Sequence, residues 1–128
     1  MRRKSEKLQH TSDSLKKNII EALQDKKALN IVELDMSDVK VSLFDKFIIC
    51  TATSTTHAES LHDNVAKFVK QNLKLIPKHT EGLTNSQWIL IDYFDVLVHI
   101  FLKESREFYT IESLWADAKR IEYNLELN

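Results

Sequence analysis

Two aspartates, Asp92 and Asp95, interrupt the most apolar stretch of the chain, Trp88–Phe101. Carboxylates at a strand end can hold Mg2+ for phosphoryl transfer. The same spacing brackets a tight turn, where Asp is common because its side chain bonds nearby backbone. No third carboxylate or Gly-Ser cradle accompanies the pair, so turn chemistry or partner contact is preferred to a metal site. Thr51-Ala52-Thr53-Ser54-Thr55-Thr56 places five hydroxyls ahead of a helix, and a strand, loop and helix in succession can hold a phosphate at the helix N-terminus. The segment lacks the glycines and lysine of a P-loop, so helix capping is the expected role. His57, His62, His79 and His99 are scattered; His57 and His62 are five apart, whereas a zinc pair on a helix needs a spacing of about four. A Ser-His-Asp set with members far apart in the chain stays open, but nothing resembles a nucleophile elbow. Cys50 is the only cysteine and sits in the apolar Phe47-Ile48-Ile49-Cys50. It reads as a buried strand thiol in a reducing compartment, with no internal disulfide or thiolate metal cluster.

Positioning these side chains falls first to a β-hairpin. Trp88–Tyr93 and Val96–Phe101 are dense in β-branched and aromatic residues, with Asp92 and Asp95 where the chain reverses. Alternate residues face opposite sides of a sheet. Ile89, Ile91 and Tyr93 therefore share an aliphatic face with Val96, Val98 and Ile100, which needs helices to cover it. Trp88, Leu90 and Asp92 share the other with Leu97, His99 and Phe101, a surface suited to meeting a partner. The aromatic residues of the last third are divided between core packing and interface contact. Trp88, His99 and Phe101 favour interface, because they share a face with the charged Asp92; Phe108 and Trp115 fit either.

Ahead of the hairpin, residues 1–11 are polar and aperiodic and are expected to form a flexible tail. Ser12 or Asp13 caps a helix in which Leu15, Ile19, Ala22 and Leu23 recur at helical spacing up to about Ala28. Asn30–Asp35 reads as a strand, and Lys46–Ala52 as a second one, apolar on both faces and hence central. A helix from Thr55 or Thr56 to Leu73 follows, broken before Pro77. Gly82, the only glycine, supplies a turn or a left-handed conformation before the hairpin. After the hairpin Lys103–Glu107 turns the chain away, and Thr110 caps a short helix carrying Leu114 and Trp115, with Asp117–Leu125 continuing it. The outcome is a single α/β domain over 12–119, a mixed sheet of about four or five strands with helices packed on one face, and a C-terminal tail over 120–128.

Composition narrows the function. A chain of 128 residues with 43% apolar and 29% charged residues fits one globular domain. A formal net charge of -1 removes the strongest argument for a nucleic-acid partner. No stretch approaches the ~18 apolar residues of a membrane span, and no apolar run follows the basic N-terminus as a leader would require, so a cytosolic protein is expected.

The ordered run Gly82, Trp88, Ile89–Ile91, Asp92, Tyr93, Asp95, Val98-His99-Ile100-Phe101, Arg106-Glu107-Phe108-Tyr109 and Leu114-Trp115-Ala116-Asp117-Ala118 resembles the ribosomal silencing factor family, also called Iojap or RsfS. Ala28–Asp35 and Asp45–Ala52 extend the likeness, which covers Leu15 to Lys119. The chain departs from the pattern at Phe94, where members often carry Gly, and at Thr51-Ala52-Thr53-Ser54, where they usually show Ser-Gly-Asn-Ser. The resemblance implies a nucleotidyltransferase-like fold without the active site, no enzymatic activity, and neither cofactor nor metal. It implies a homodimer that binds ribosomal protein uL14 on the large subunit, blocks joining of the small subunit, represses translation when nutrients are scarce, and takes part in large-subunit maturation. It places Trp88, Asp92, Tyr93, Asp95, His99, Phe101, Tyr109 and Trp115 in or beside the uL14 contact, some as core behind it. The competing reading is a nucleotide-binding or nucleotidyl-transfer enzyme using Thr53, Ser54, Asp92 and Asp95, which requires those groups to converge on one pocket. Direct RNA binding would need a basic stripe, which the near-neutral charge disfavours.

Overall fold

The hairpin forms where the alternation of the sequence puts it. In the computed structural model, which describes residues 2–123, β4 (Trp88–Asp92) and β5 (Val96–Leu102) pair antiparallel, with Trp88 opposite Phe101 and Leu90 opposite His99. Before them come α1 (Arg2–Asp25), β1 (Leu29–Asp35), β2 (Lys46–Ala52), α2 (Thr55–Leu73) and β3 (His79–Glu81); after them come α3 (Lys103–Tyr109), α4 (Ile111–Leu114) and β6 (Lys119–Tyr123). The sheet order is β3-β4-β5-β2-β1-β6. β2 and β5 are parallel and every other neighbouring pair is antiparallel. A parallel pair needs a long crossover, and α2 supplies it.

The two long helices pack on one face. Leu15, Ile19 and Leu23 of α1 and Leu61, Val65 and Val69 of α2 seal the aliphatic side of the sheet, where Ile48, Ile89, Ile91 and Val98 are fully buried. The opposite face carries a second, smaller core built on Leu34, Phe47, Ile49, Leu97, Phe101 and Ile111, with Trp88, Leu90 and Trp115 partly covering it. β2, apolar on both sides, lies between the two cores and is central, as its sequence requires.

Four elements differ from expectation. The first helix starts at Arg2, ten residues before the expected cap at Ser12; residues 2–11 are largely helix formers that need no apolar stripe to continue a turn. Ser12 is buried and donates to Asp45 Oδ2 at 3.4 Å instead of capping. Lys103–Tyr109 is helix α3, not a turn. Thr110 adopts φ 45°, ψ 44° and closes α3, its N–H bonding Arg106 O, and its hydroxyl caps nothing in α4. Beyond Lys119 the chain forms β6, an edge strand on β1, where a helical continuation was expected; an unpaired β1 edge is what that pairing removes. With β3 the sheet therefore has six strands. Met1 and residues 124–128 of the two expected tails lie outside the described residues.

Candidate docking site

The site is built from Gly82 onward. Its φ is +91°, and a Cβ there would lie 2.0 Å from the Trp88 carbonyl oxygen, so only glycine lets the chain pass across the start of β4. Ser86, buried at φ 57°, donates to Glu59 Oε2 at 2.7 Å and ties the turn to α2. These two residues fix the entry of Trp88 into the sheet.

Trp88 starts a series of contacting rings running outward from the core. It stacks on Phe101, 0% exposed, at 4.8 Å between centroids, and meets the tilted ring of Tyr109, 47% exposed, at 4.7 Å. Phe108, 78% exposed, packs edge-on against Tyr109 at 4.9 Å. On the inner side, Trp88 Nε1 donates to His99 Nδ1 at 3.1 Å, and His99 lies 5.0 Å from Phe47, which meets Trp115 at 5.9 Å. Because Nδ1 accepts, the proton of the neutral ring is on Nε2. That nitrogen is buried without a partner, and burial pulls the imidazole pKa down from 6.5 to about 3.

The aspartates serve the turn. Asp92 Oδ1 accepts from Phe94 N at 2.8 Å, and Asp95 N donates to Tyr93 O at 2.9 Å, closing a γ-turn centred on Phe94 at φ 75°. Asp95 O accepts from Asp45 N and Lys46 N at 2.8 and 3.2 Å, joining the hairpin tip to β2. Burial, and then the nearby Asp45, raise the Asp95 carboxyl above the usual range. Tyr93 belongs to the helix-side core, where burial pushes its phenol up to about 12.

α3, which carries Tyr109, is held by Arg106. Nη1 donates to Asn30 O and Thr51 Oγ1, each at 2.8 Å, while Nε and Nη2 make a bidentate pair with Glu112 at 2.9 and 3.0 Å. Glu112 also takes Arg120 at 2.8 Å, and the Arg106 hydrogen bond leads the causes that hold its carboxyl below the usual range. One guanidinium thus ties together β1, β2, α3 and α4. In the sequence Arg106 appears within the run that carries the family resemblance, but neither that nor its place three residues before Tyr109 assigns it this anchoring role. Beside it opens a cleft of about 990 Å³ lined by Leu29, Thr53, Lys103, Glu104, Glu107 and Ser113, among others.

The eight expected site residues therefore separate. Phe101, His99 and Tyr93 are buried, as is Asp92; Trp88, Asp95 and Trp115 are half-buried; Tyr109 is exposed. Phe101 and His99 lie sealed beneath Trp88, which stacks on the first and hydrogen-bonds the second. Phe94 and Phe108, outside the expected set, are exposed. The nucleotidyl-transfer constellation does not assemble. Ser54 caps α2, accepting from His57 N at 3.0 Å, at the far end of β2 from Asp95. The intervening strand spans roughly 20 Å at ~3.3 Å per residue. Among the described residues no group of three or more His, Cys, Asp or Glu could hold a metal, and no helix is long and apolar enough to cross a membrane.

Comparison with known proteins gives a consistent result. The family model described as "Ribosomal silencing factor during starvation" matches residues 9–128. The ribosomal silencing factor RsfS of Halalkalibacterium halodurans is 36% identical over 103 residues, covering 80% of this chain and 86% of that protein. That of Chromobacterium violaceum is 36% identical over 106 residues, covering 82% and 84%. A crystal structure of a Chromobacterium violaceum protein superposes with a TM-score of 0.76 at 31% identity, covering 91% of this chain and 89% of that one.

Proposed function

We propose, from the premise that the chain belongs to the ribosomal silencing factor family RsfS, that it docks on ribosomal protein uL14 of the large subunit and sterically prevents small-subunit joining. The observation that supports this most is the aromatic series leading from sealed Phe101 through half-buried Trp88 to exposed Tyr109 and Phe108. Rings rigidly backed on one side and open on the other are what the centre of a protein interface needs, since they lose little conformational freedom on binding. A folded body of 15.0 kDa seated on the joining face obstructs by occupancy, so repression of translation requires no catalytic group. Glu104 and Glu107, on the same helix as Phe108 and Tyr109, favour a basic protein surface and steer its approach. The same reading takes the protein to be cytoplasmic, to pair with a second copy, and to take part in large-subunit maturation.

Sedimentation of the full chain with separated ribosomal subunits tests it. The wild-type chain is expected with large subunits only. Trp88→Ala and Tyr109→Ala each remove a central ring and should weaken that association about 10- to 100-fold, a loss of roughly 1.4–2.8 kcal/mol, while the protein stays folded. Co-sedimentation unaffected by both substitutions would remove the docking face from consideration.

A further inference from the structure

We infer that His99 is a positioning residue for docking: its Nδ1 holds the Trp88 indole N–H and thereby fixes the ring that faces the partner. The inference rests on the docking reading of Trp88. Trp88 is only half-buried, and its stack on Phe101, with the tilted Tyr109 ring on it as well, restrains its tilt but leaves it free to slide. The hydrogen bond at 3.1 Å fixes its rotation within that stack.

The cost of the arrangement shows what the imidazole is for. To accept at Nδ1, His99 must carry its proton on Nε2, and Nε2 is buried with no acceptor. Buried polar groups are ordinarily paired, and an unpaired donor opposes folding. Leu97 and Phe101, the next side chains on this face of β5, are apolar and fill the same layer without that cost. A residue chosen for packing alone would be apolar here as well. Among the described residues no group of metal-ligating side chains surrounds His99, and a ring sealed at 4% exposure cannot exchange protons with a substrate. What remains is the acceptor it offers to Trp88, a stability cost retained for a binding surface.

Three variants of the full chain test this, read by melting temperature, the Trp88 indole N–H resonance and binding to purified large subunits. His99→Leu, similar in volume and without polar atoms, should melt at or above the wild-type temperature. Its Trp88 indole resonance should move upfield as the acceptor is lost, and its binding should weaken about 10-fold, which is about 1.4 kcal/mol. His99→Gln keeps a carbonyl acceptor and should restore the indole shift and bring binding within ~3-fold of wild type, or ~0.65 kcal/mol, even if it melts lower. Trp88→Ala separates the two claims. If Trp88→Ala weakens binding while His99→Leu does not, the positioning role is overturned and the docking face stands. If His99→Leu and His99→Gln lose binding and stability alike, His99 is merely structural and the inference is also overturned. If Trp88→Ala binds as wild type, the docking reading itself is wrong.

Discussion

Phe94 sits at φ 75° with its ring 60% exposed, a conformation that costs an L residue roughly 1–2 kcal/mol. Its backbone N–H bond to Asp92 would survive in any residue, and what the ring adds is Lys78 Nζ at 5.7 Å, worth ~0.5 kcal/mol at an exposed site. Phe94→Gly should therefore stabilise the protein by about 0.5–1 kcal/mol and raise its melting temperature by a few degrees. Calorimetry reads this directly, and a lower melting temperature would refute the strain argument. His99 supplies the pH dependence. Its folded pKa, about 3, lies below the ordinary 6.5, so the unfolded chain binds the extra proton. The stability this provides is complete above pH 6.5 and is lost as pH falls toward 3. Near pH 5 the loss is on the order of 2 kcal/mol relative to neutral, and denaturant titrations of the wild type against His99→Leu should show it only in the wild type. At this scale the sequence was legible where side chains act on near neighbours. Turn chemistry at Asp92 and a capping hydroxyl within 51–56, supplied by Ser54, followed from type and spacing alone. That His99 and Phe101 are covered was not legible, because alternation gives the face of a strand and not what lies over it.

Elements read well when their apolar period was strong. α2 and the hairpin carry clear 3.6- and 2-residue patterns and appear where expected. α3 was missed because Lys103-Glu104-Ser105-Arg106-Glu107 is polar all round, and its helix depends on a tertiary anchor that no local pattern reveals. That anchor is Arg106. Arg106→Met would leave the Asn30 carbonyl without this donor, along with the Thr51 hydroxyl, and would leave Glu112 with Arg120 alone. We expect destabilisation of roughly 2–3 kcal/mol, below what breaking a fully buried pair costs because this pair is part-buried and Arg120 remains, measured by chemical denaturation. Arg106→Lys should recover little, since a lysine cannot reproduce the planar fork that reaches Glu112 bidentately. Because α3 carries Tyr109, both variants should also lose large-subunit binding; retained binding would show that α3 is not part of the docking surface.

For the whole molecule, two cores on one sheet assign the two faces different work. The helix-side core provides the bulk of the apolar burial, which leaves the thinner core beneath Trp88 and Trp115 free to carry aromatic rings to the surface. The edge strands β3 and β6 escaped the sequence reading because three and five mostly polar residues carry too little pattern, and it is β1 and β4 that recruit them. Net charge also acts at this scale. A protein of net charge -1 that docks through aromatic rings on a ribosomal protein releases few condensed counterions. One gripping ribosomal RNA through about 6–10 phosphates would lose ~10³–10⁵ in affinity between about 50 and 200 mM salt. We expect the large-subunit affinity of this chain to fall by less than ~10-fold over that range, as exposed charge pairs at the interface rim are screened. Sedimentation titrations at fixed Mg2+ and varied monovalent salt read the slope. A fall of three decades or more would move the contact from a protein surface to the RNA backbone, where the rings would stack on bases instead of packing against a protein partner.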